Sequence, residues 1–359
     1  MTSTTETDTS ANDSRPPEPS TEGRFGSLNL RTAVATGRGV LARYRYLSLL
    51  VLAVVVVVLG LTGNAGFRYS LILATAYGLV VLGNSATAAT LGEINLGGLA
   101  FMAVGAYTMA NLLEQGVPGL VALLLSGVAA AIVGLVLAIP TTQLRGISTA
   151  LVTFALAYSI SDLATYLRPV TNGDEGKFLP ADLELGGMLI SGSNEGLLIL
   201  AAVLMVLAGA AHIALLNGRA GRVAISVGEV ERASAIFGTP IRPVQLLVWV
   251  WAAFLGGIGG AVYGLAVGFV SASQWQVMLS IFVFVGGLVG GTRSAAGSWV
   301  GGMIVGALPV WLQGVVPPTA TTLVYGVVLV LALLVGGRGL AEFAERLGVE
   351  GWLRLRRTR

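Results

Sequence analysis

Ten apolar segments separated by short polar stretches run through this chain, at about Tyr46–Leu61, Phe67–Gly83, Leu91–Leu113, Leu120–Ile139, Gly146–Leu167, Gly196–Leu216, Val244–Ala266, Met278–Gly290, Trp299–Val315 and Thr319–Val335. In hydrocarbon the backbone amides have only one another as partners, so such segments fold as membrane-crossing helices. The expected fold class is an all-α integral membrane protein with about ten transmembrane helices. Composition agrees: 55% of the 359 residues are hydrophobic and 11% charged, against roughly 45–50% and 25% in soluble domains. Several segments fall short of the ~20 residues a bilayer core requires, which predicts tilted or broken helices.

Orientation follows from where the cations fall. With the N-terminus in the cytoplasm, 18 of the 21 Lys and Arg residues lie on the cytoplasmic side. Only Arg68, Arg168 and Lys177 lie outside, and the longest outer loop, 168–195, carries Asp174, Glu175, Asp182, Glu184 and Glu195. This bias puts both termini in the cytoplasm. The net charge of +3 then marks one membrane face, and no nucleic-acid partner is implied. Organisation reads as a tail over residues 1–45, a transmembrane domain over 46–336 with a cytoplasmic loop at 217–243, and a basic tail over 337–359. The first ~22 residues have the polar composition of disordered chain. Arg24, Arg31, Arg38 and Arg45 then recur every seven residues as a basic flank or a surface helix. In the last tail Leu340, Phe343, Leu347 and Trp352 among five arginines read as a helix lying against lipid headgroups.

Missing residues exclude several chemistries. No cysteine is present, which removes disulfides, thiolate metal sites and cysteine nucleophiles. His212 is the only histidine and cannot build a His-rich metal site. Lys177 is the only lysine and stands outside any phosphate-binding loop, so the chain has no standard ATP site and no catalytic residue or cofactor of its own is expected.

Between the sixth and seventh spans lies GRAGRVAISVGEVERASAIFGTPIRP, Gly218–Pro243. Val223, Val227, Val230, Ala233 and Phe237 recur at helical spacing while Ser226, Glu229 and Arg232 take another side, predicting an amphipathic helix over Val223–Phe237 that ends at Gly238. Such a helix either rests on headgroups or docks into a soluble partner. Polar residues at membrane depth cluster elsewhere: Asn84, Ser85, Thr87, Thr90, Glu93 and Asn95 surround an expected break between the second and third spans. Thr149, Thr153, Ser159, Ser161, Asp162 and Thr165 line the fifth span, and Ser271 begins another polar stretch. Together they suit a pathway of modest polarity. Asp162 reaches either the outer interface or a functional partner, and Glu93 reads as a gating or structural hydrogen-bond acceptor. No intramembrane relay of acids and bases is present, which argues against proton coupling. Glycines at 256, 260, 264 and 268, and the pairs 286/290, 297/301 and 302/306, have the spacing that lets helices pack closely.

At this point the residues resemble a family. GLVVLGNSATAATLGEINLGGLAFMAVGAYTMANLL (Gly78–Leu113) is similar to the second and third spans of branched-chain amino acid ABC importer permeases, through Gly92, Asn95, Leu96, Gly97, Phe101, Gly105, Ala106, Tyr107 and Thr108. LRGISTALVTFALA (Leu144–Ala157) and GGTRSAAGSWVGGMIVGAL (Gly290–Leu308) resemble two later segments of that family. Gly221, Arg222, Glu229, Ala233 and Gly238, with Phe237 on the same helix, fall where the family docks its ATPase. The resemblance covers about Leu71 to Trp311. It implies a bacterial importer subunit that works with separate ATPase subunits carrying the ATP, a second related permease, and an extracytoplasmic binding protein. It further implies a translocation pathway drawing on Asn84, Glu93, Asn95, Thr153, Asp162 and Ser271, and binding-protein docking over Asn172, Asp174 and Glu175. The outer loop Thr171–Gly176 and the pair Thr292–Arg293 depart from the family pattern, so permeases for urea and amides, or for sugars and nucleosides, stay open as alternatives. A secondary carrier and a passive channel are the readings from other classes. LGNSAT (Leu82–Thr87) echoes VGFVSAS (Val267–Ser273), which leaves room for an inverted repeat.

Overall fold

The computed structural model describes residues 44–144, 146–180, 195–229 and 239–313, with short or single positions at 184–185, 188–189, 234, 317, 323–324, 326–327 and 330. Both tails, most of the span expected at Thr319–Val335, and Ala233, Phe237 and Gly238 lie outside the described residues.

Helix α1 (Tyr44–Thr62) is followed by α2 (Ala65–Leu91), α3 (Gly98–Glu114), α4 (Gly119–Thr141) and α5 (Ile147–Tyr166). The one-turn α6 (Arg168–Thr171) leads into the outer loop. Then come α7 (Glu195–Asn217), α8 (Arg219–Glu229), α9 (Ile241–Val267), α10 (Val277–Gly290) and α11 (Ala295–Gln313), the last containing a π-helical turn at Met303–Ala307. Among the described residues seven helices are long and apolar enough to cross a membrane: α1, α2, α4, α5, α7, α9 and α11. At 17 and 14 residues, α3 and α10 reach only roughly 25 Å and 21 Å, short of the ~30 Å hydrocarbon core. Two-residue strands occur in two antiparallel pairs: β1 (Lys177–Phe178) with β4 (Phe269–Val270), and β2 (Glu184–Leu185) with β3 (Met188–Leu189).

Burial separates the helices into inner and outer sets. Some 94% of the apolar stretch of α2 is buried, against 22% for α1 and 28% for α5, so α2 is the axis and the other two present broad faces outward. α9 is packed on three neighbours, and it uses a different glycine for each. A Cβ on Gly260 would collide with the Met102 carbonyl of α3, one on Gly257 would stand 2.6 Å from the Ser126 carbonyl of α4, and one on Gly259 2.6 Å from the Ala76 carbonyl of α2. The expected four-residue glycine stripe is therefore split. Gly256 and Gly260 serve α3, but Gly264 meets the side chains of Leu179 (3.3 Å) and Val270 (3.6 Å) and no neighbouring helix backbone within 4 Å, and Gly268 at φ 74° ends the helix.

α11 docks along α2 through hydrogen bonds from Trp299 Nε1 to Thr75 Oγ1 (3.0 Å) and from Trp311 Nε1 to Ser70 Oγ (2.8 Å). Tyr77, Tyr263, Trp275 and Tyr107 form a chain of ring contacts, 5.6–6.4 Å between centroids, that joins α2, α9 and α3. His212 is fully buried in α7.

Candidate functional site

The expected break between the second and third spans is shorter than the sequence indicated. Asn84, Ser85, Thr87 and Thr90 are helical: α2 continues for 27 residues to Leu91 and stops at Gly92, whose φ of 67° suits the left-handed turn. Thr87 and Thr90 return their hydroxyls to the carbonyls of Asn84 (2.8 Å) and Ala86 (2.7 Å), which lets polar residues stay in a buried helix. The irregular stretch is Gly92–Gly97, and three other helices hold it. Trp249 of α9 donates from Nε1 to Glu93 Oε2 (3.0 Å), Thr153 of α5 accepts the Leu96 amide on Oγ1 (3.2 Å), and Ser280 of α10 donates to the Leu96 carbonyl. Asn95 caps the turn by accepting the Gly97 amide on Oδ1 (2.8 Å). The carboxamide of Asn84 lies against Gly98, the first residue of α3. Four residues expected in the pathway, Asn84, Glu93, Asn95 and Thr153, thus come together at one place.

Ser271 belongs to a second irregular stretch, Gly268–Gln276, between α9 and α10. It heads a short turn whose capping box pairs Ser271 with Gln274, and its hydroxyl meets that of Ser273 at 3.0 Å. Ser161 of α5 donates to the Ala272 carbonyl (2.9 Å). α5 therefore reaches both irregular stretches, through Thr153 and Ser161 on its buried side. Asp162, beside Ser161, points away from these contacts and is exposed on α5.

The amphipathic helix exists, but it begins four residues earlier than its apolar spacing indicated, at Arg219, and its described part ends at Glu229. Gly221, Ala224 and Val227 are buried, while Arg219, Arg222, Ser226 and Glu229 are exposed. Gly221 packs inward: it brings α8 against the backbone of Leu215 and Leu216 at the end of α7. Gly228 does the same against Thr90 and Leu91, the last residues of α2. Arg222 also donates to the Asn217 carbonyl, and Ser234 donates to the Ser226 carbonyl (3.0 Å).

On the opposite side Asn172, Asp174 and Glu175 are all exposed. Asn172 turns the chain at φ 61° and donates to the Gly176 carbonyl (3.1 Å), and Asp174 accepts the Thr165 hydroxyl (2.8 Å). Lys177 bridges Glu114 (2.6 Å) and Asn111 (2.7 Å), and Arg68 pairs with Glu195 at 3.2 Å. An adjoining cavity of about 530 Å³ is lined by Glu114, Arg168, Asn172, Lys177 and Phe178, among others. Trp249, Ser280 and the ring partners Tyr77, Tyr263 and Trp275 were not singled out by the sequence. Ser280 reaches Leu96 184 residues away, and no local pattern announces such contacts.

Comparison with curated proteins and with solved structures finds no match. The model of one family does match, over residues 66–333, from the second helix of the bundle to beyond the last fully described one. That match takes in both irregular stretches, α8 and the packed glycines. The chain accordingly belongs to the family of permease components of branched-chain amino acid transport systems, multi-pass proteins of the plasma membrane.

Proposed function

We propose that this chain is one permease subunit of an ABC importer for branched-chain amino acids, with ten spans and both termini in the cytoplasm. It completes a pathway with a second related permease, receives solute from an extracytoplasmic binding protein, and is driven by a separate ATPase that holds the ATP. The observation that carries this reading is the position of α8. Its buried side is wedged at Gly228 against the last turn of α2, and its exposed Arg219, Arg222, Ser226 and Glu229 leave one polar side open to a partner. Movement of α8 by an ATPase would act directly on the end of α2, where the Gly92–Gly97 stretch begins. Alternating access through Asn84, Glu93, Asn95 and Thr153 follows from that leverage. Asn172, Asp174 and Glu175 offer the binding protein an exposed, hydrogen-bonded turn. Importers of urea or amides are the second reading, favoured by the departures at Thr171–Gly176 and at Thr292–Arg293.

The test is a pull-down of the tagged full chain in mild detergent, wild type beside Arg222→Glu/Glu229→Arg, with the co-purifying proteins identified by mass spectrometry. Wild type should bring down an ATPase and a second permease, and the variant should lose the ATPase alone. A wild-type chain that purifies as a self-sufficient homo-oligomer would return the protein to the carrier or channel class.

A further inference from the structure

Resting on the importer reading, we infer that the N-terminal end of α3 is a solute position that holds the carboxylate of the transported molecule. Residues Gly97–Ala100, where this 17-residue helix begins, are all buried, and no side chain caps it. Helix N-termini carry unpaired amides and a partial positive charge. The structure gives the amides of Gly98 and Leu99 no acceptor among the described residues. Two carboxamides flank them. Asn84 is 4% exposed, its Nδ2 has no hydrogen-bond partner, and its carboxamide oxygen and nitrogen lie 2.6 and 2.7 Å from where a Cβ on Gly98 would stand. Asn95 is wholly buried, and with Oδ1 taken by the Gly97 amide its Nδ2 is likewise without a partner. On α5 the buried Thr149 hydroxyl, one turn before Thr153, also makes no hydrogen bond.

The surplus has a sign. Acceptors at this turn are used: Asn95 Oδ1 takes the Gly97 amide, Leu96 O takes Ser280, and Glu93 takes Trp249. What is left over is donors, two side-chain amides and two helix amides, aimed at one helix end. Buried donors call for an acceptor, and a helix N-terminus favours one with negative charge. A broken helix whose positive end meets an anionic solute group at membrane depth is a recurrent way to build a transport site. In the present conformation Asn84 lies on Gly98 and the donors are closed off; the carboxylate enters when the start of α3 parts from α2.

The test is uptake of L-leucine by the importer assembled in proteoliposomes from this chain and its co-purified partners, with Asn84→Asp and Asn84→Ala compared to wild type. Co-purification of the ATPase and second permease shows that each variant has folded. An aspartate here replaces the Nδ2 donor with a charged acceptor that repels a carboxylate. Asn84→Asp should lose uptake by roughly tenfold or more, whereas Asn84→Ala, which only removes a donor, should lose several-fold less. Asn95→Asp repeats the experiment should the first variant fail to assemble. Equal losses for Asp and Ala, or no loss in either, would overturn the carboxylate assignment. So would a wild-type importer that takes up urea or an amide and not leucine. A wild-type chain that assembles with no ATPase sinks the importer reading itself, and this inference with it.

Discussion

The two irregular stretches begin alike and end differently. Each follows a 27-residue helix, α2 or α9, that stops at a left-handed glycine, Gly92 at φ 67° or Gly268 at φ 74°, and each leads into a helix too short to cross the bilayer. At Gly268–Gln276 the chain closes on itself: β4 pairs with β1, Ser271 and Gln274 form a capping box, Gln274 donates to the Phe269 carbonyl (3.3 Å), and Ser161 donates to the Ala272 carbonyl. At Gly92–Gly97 the contacts come from three other helices, and the amides of Asn84 and Asn95 stay unmatched. The Gly268–Gln276 stretch leaves the Trp275 Nε1 without a partner, but its capping box and strand pair tie the backbone down, which makes it the more fixed of the two. A stretch that depends on neighbours and retains unmatched donors can be rearranged by moving those neighbours.

The largest effect should come from separating the helices that carry both stretches. In Gly260→Leu the new side chain would meet the Met102 backbone, which cannot give way as a flexible side chain does. We expect a loss of about 3 kcal/mol or more, seen as failure to purify as a monodisperse species in detergent. A variant that purified and melted like wild type would mean that α3 and α9 are not rigidly joined, and the two stretches could not be compared as parts of one core. Next comes Trp249→Phe, which removes one hydrogen bond to the part-buried Glu93 carboxylate. Here a loss of ~1–3 kcal/mol is expected, with a lower melting temperature and slower uptake together. Ser271→Ala should cost ~1 kcal/mol in melting while leaving uptake near wild type, because it weakens only a local cap. If Ser271→Ala slowed uptake as much as Trp249→Phe, the platform and the movable stretch would have to exchange roles.

Much of this was legible in the sequence, and the misreadings have physical causes. The helical bundle, the glycine packing and an amphipathic cytoplasmic helix follow from spacing and hydropathy. α2 was read as ending near Gly83 because Asn84, Ser85, Thr87 and Thr90 look like a polar break. Within the helix, however, the threonine hydroxyls bond backward to carbonyls three and four residues before, and Ser85 meets Ser298 at 3.3 Å. The same error displaced the internal echo. LGNSAT lies inside α2, whereas the residue structurally equivalent to Gly268 as a helix stop is Gly92, nine positions beyond Gly83. The start of α8 was missed because the apolar spacing used to place it begins at Val223, whereas Gly221 in the preceding turn is the residue that lets α8 lie on the end of α7. Contacts such as Trp249 to Glu93 join residues 156 apart and leave no periodic trace.

The smallest expected effect tests whether the two stretches are independent. Lys177 sits on β1, which pairs with β4 in the Gly268–Gln276 stretch, and its ammonium reaches Glu114 and Asn111 on α3. The outer loop thus adds a polar route, besides α5 and the Trp275–Tyr107 ring contact, by which the fixed stretch touches the helix that starts at the movable one. Glu114 is 67% exposed, so the pair is largely screened by water, and Lys177→Met should cost less than ~1 kcal/mol, less still at high salt. If the loop is only a strap, leucine uptake by Lys177→Met should match wild type at both low and high ionic strength. A several-fold change in uptake with no change in melting would show that the loop sets the position of α3, and that a binding protein docking on this loop acts on the Gly92–Gly97 stretch from outside just as α8 acts on it from the cytoplasm.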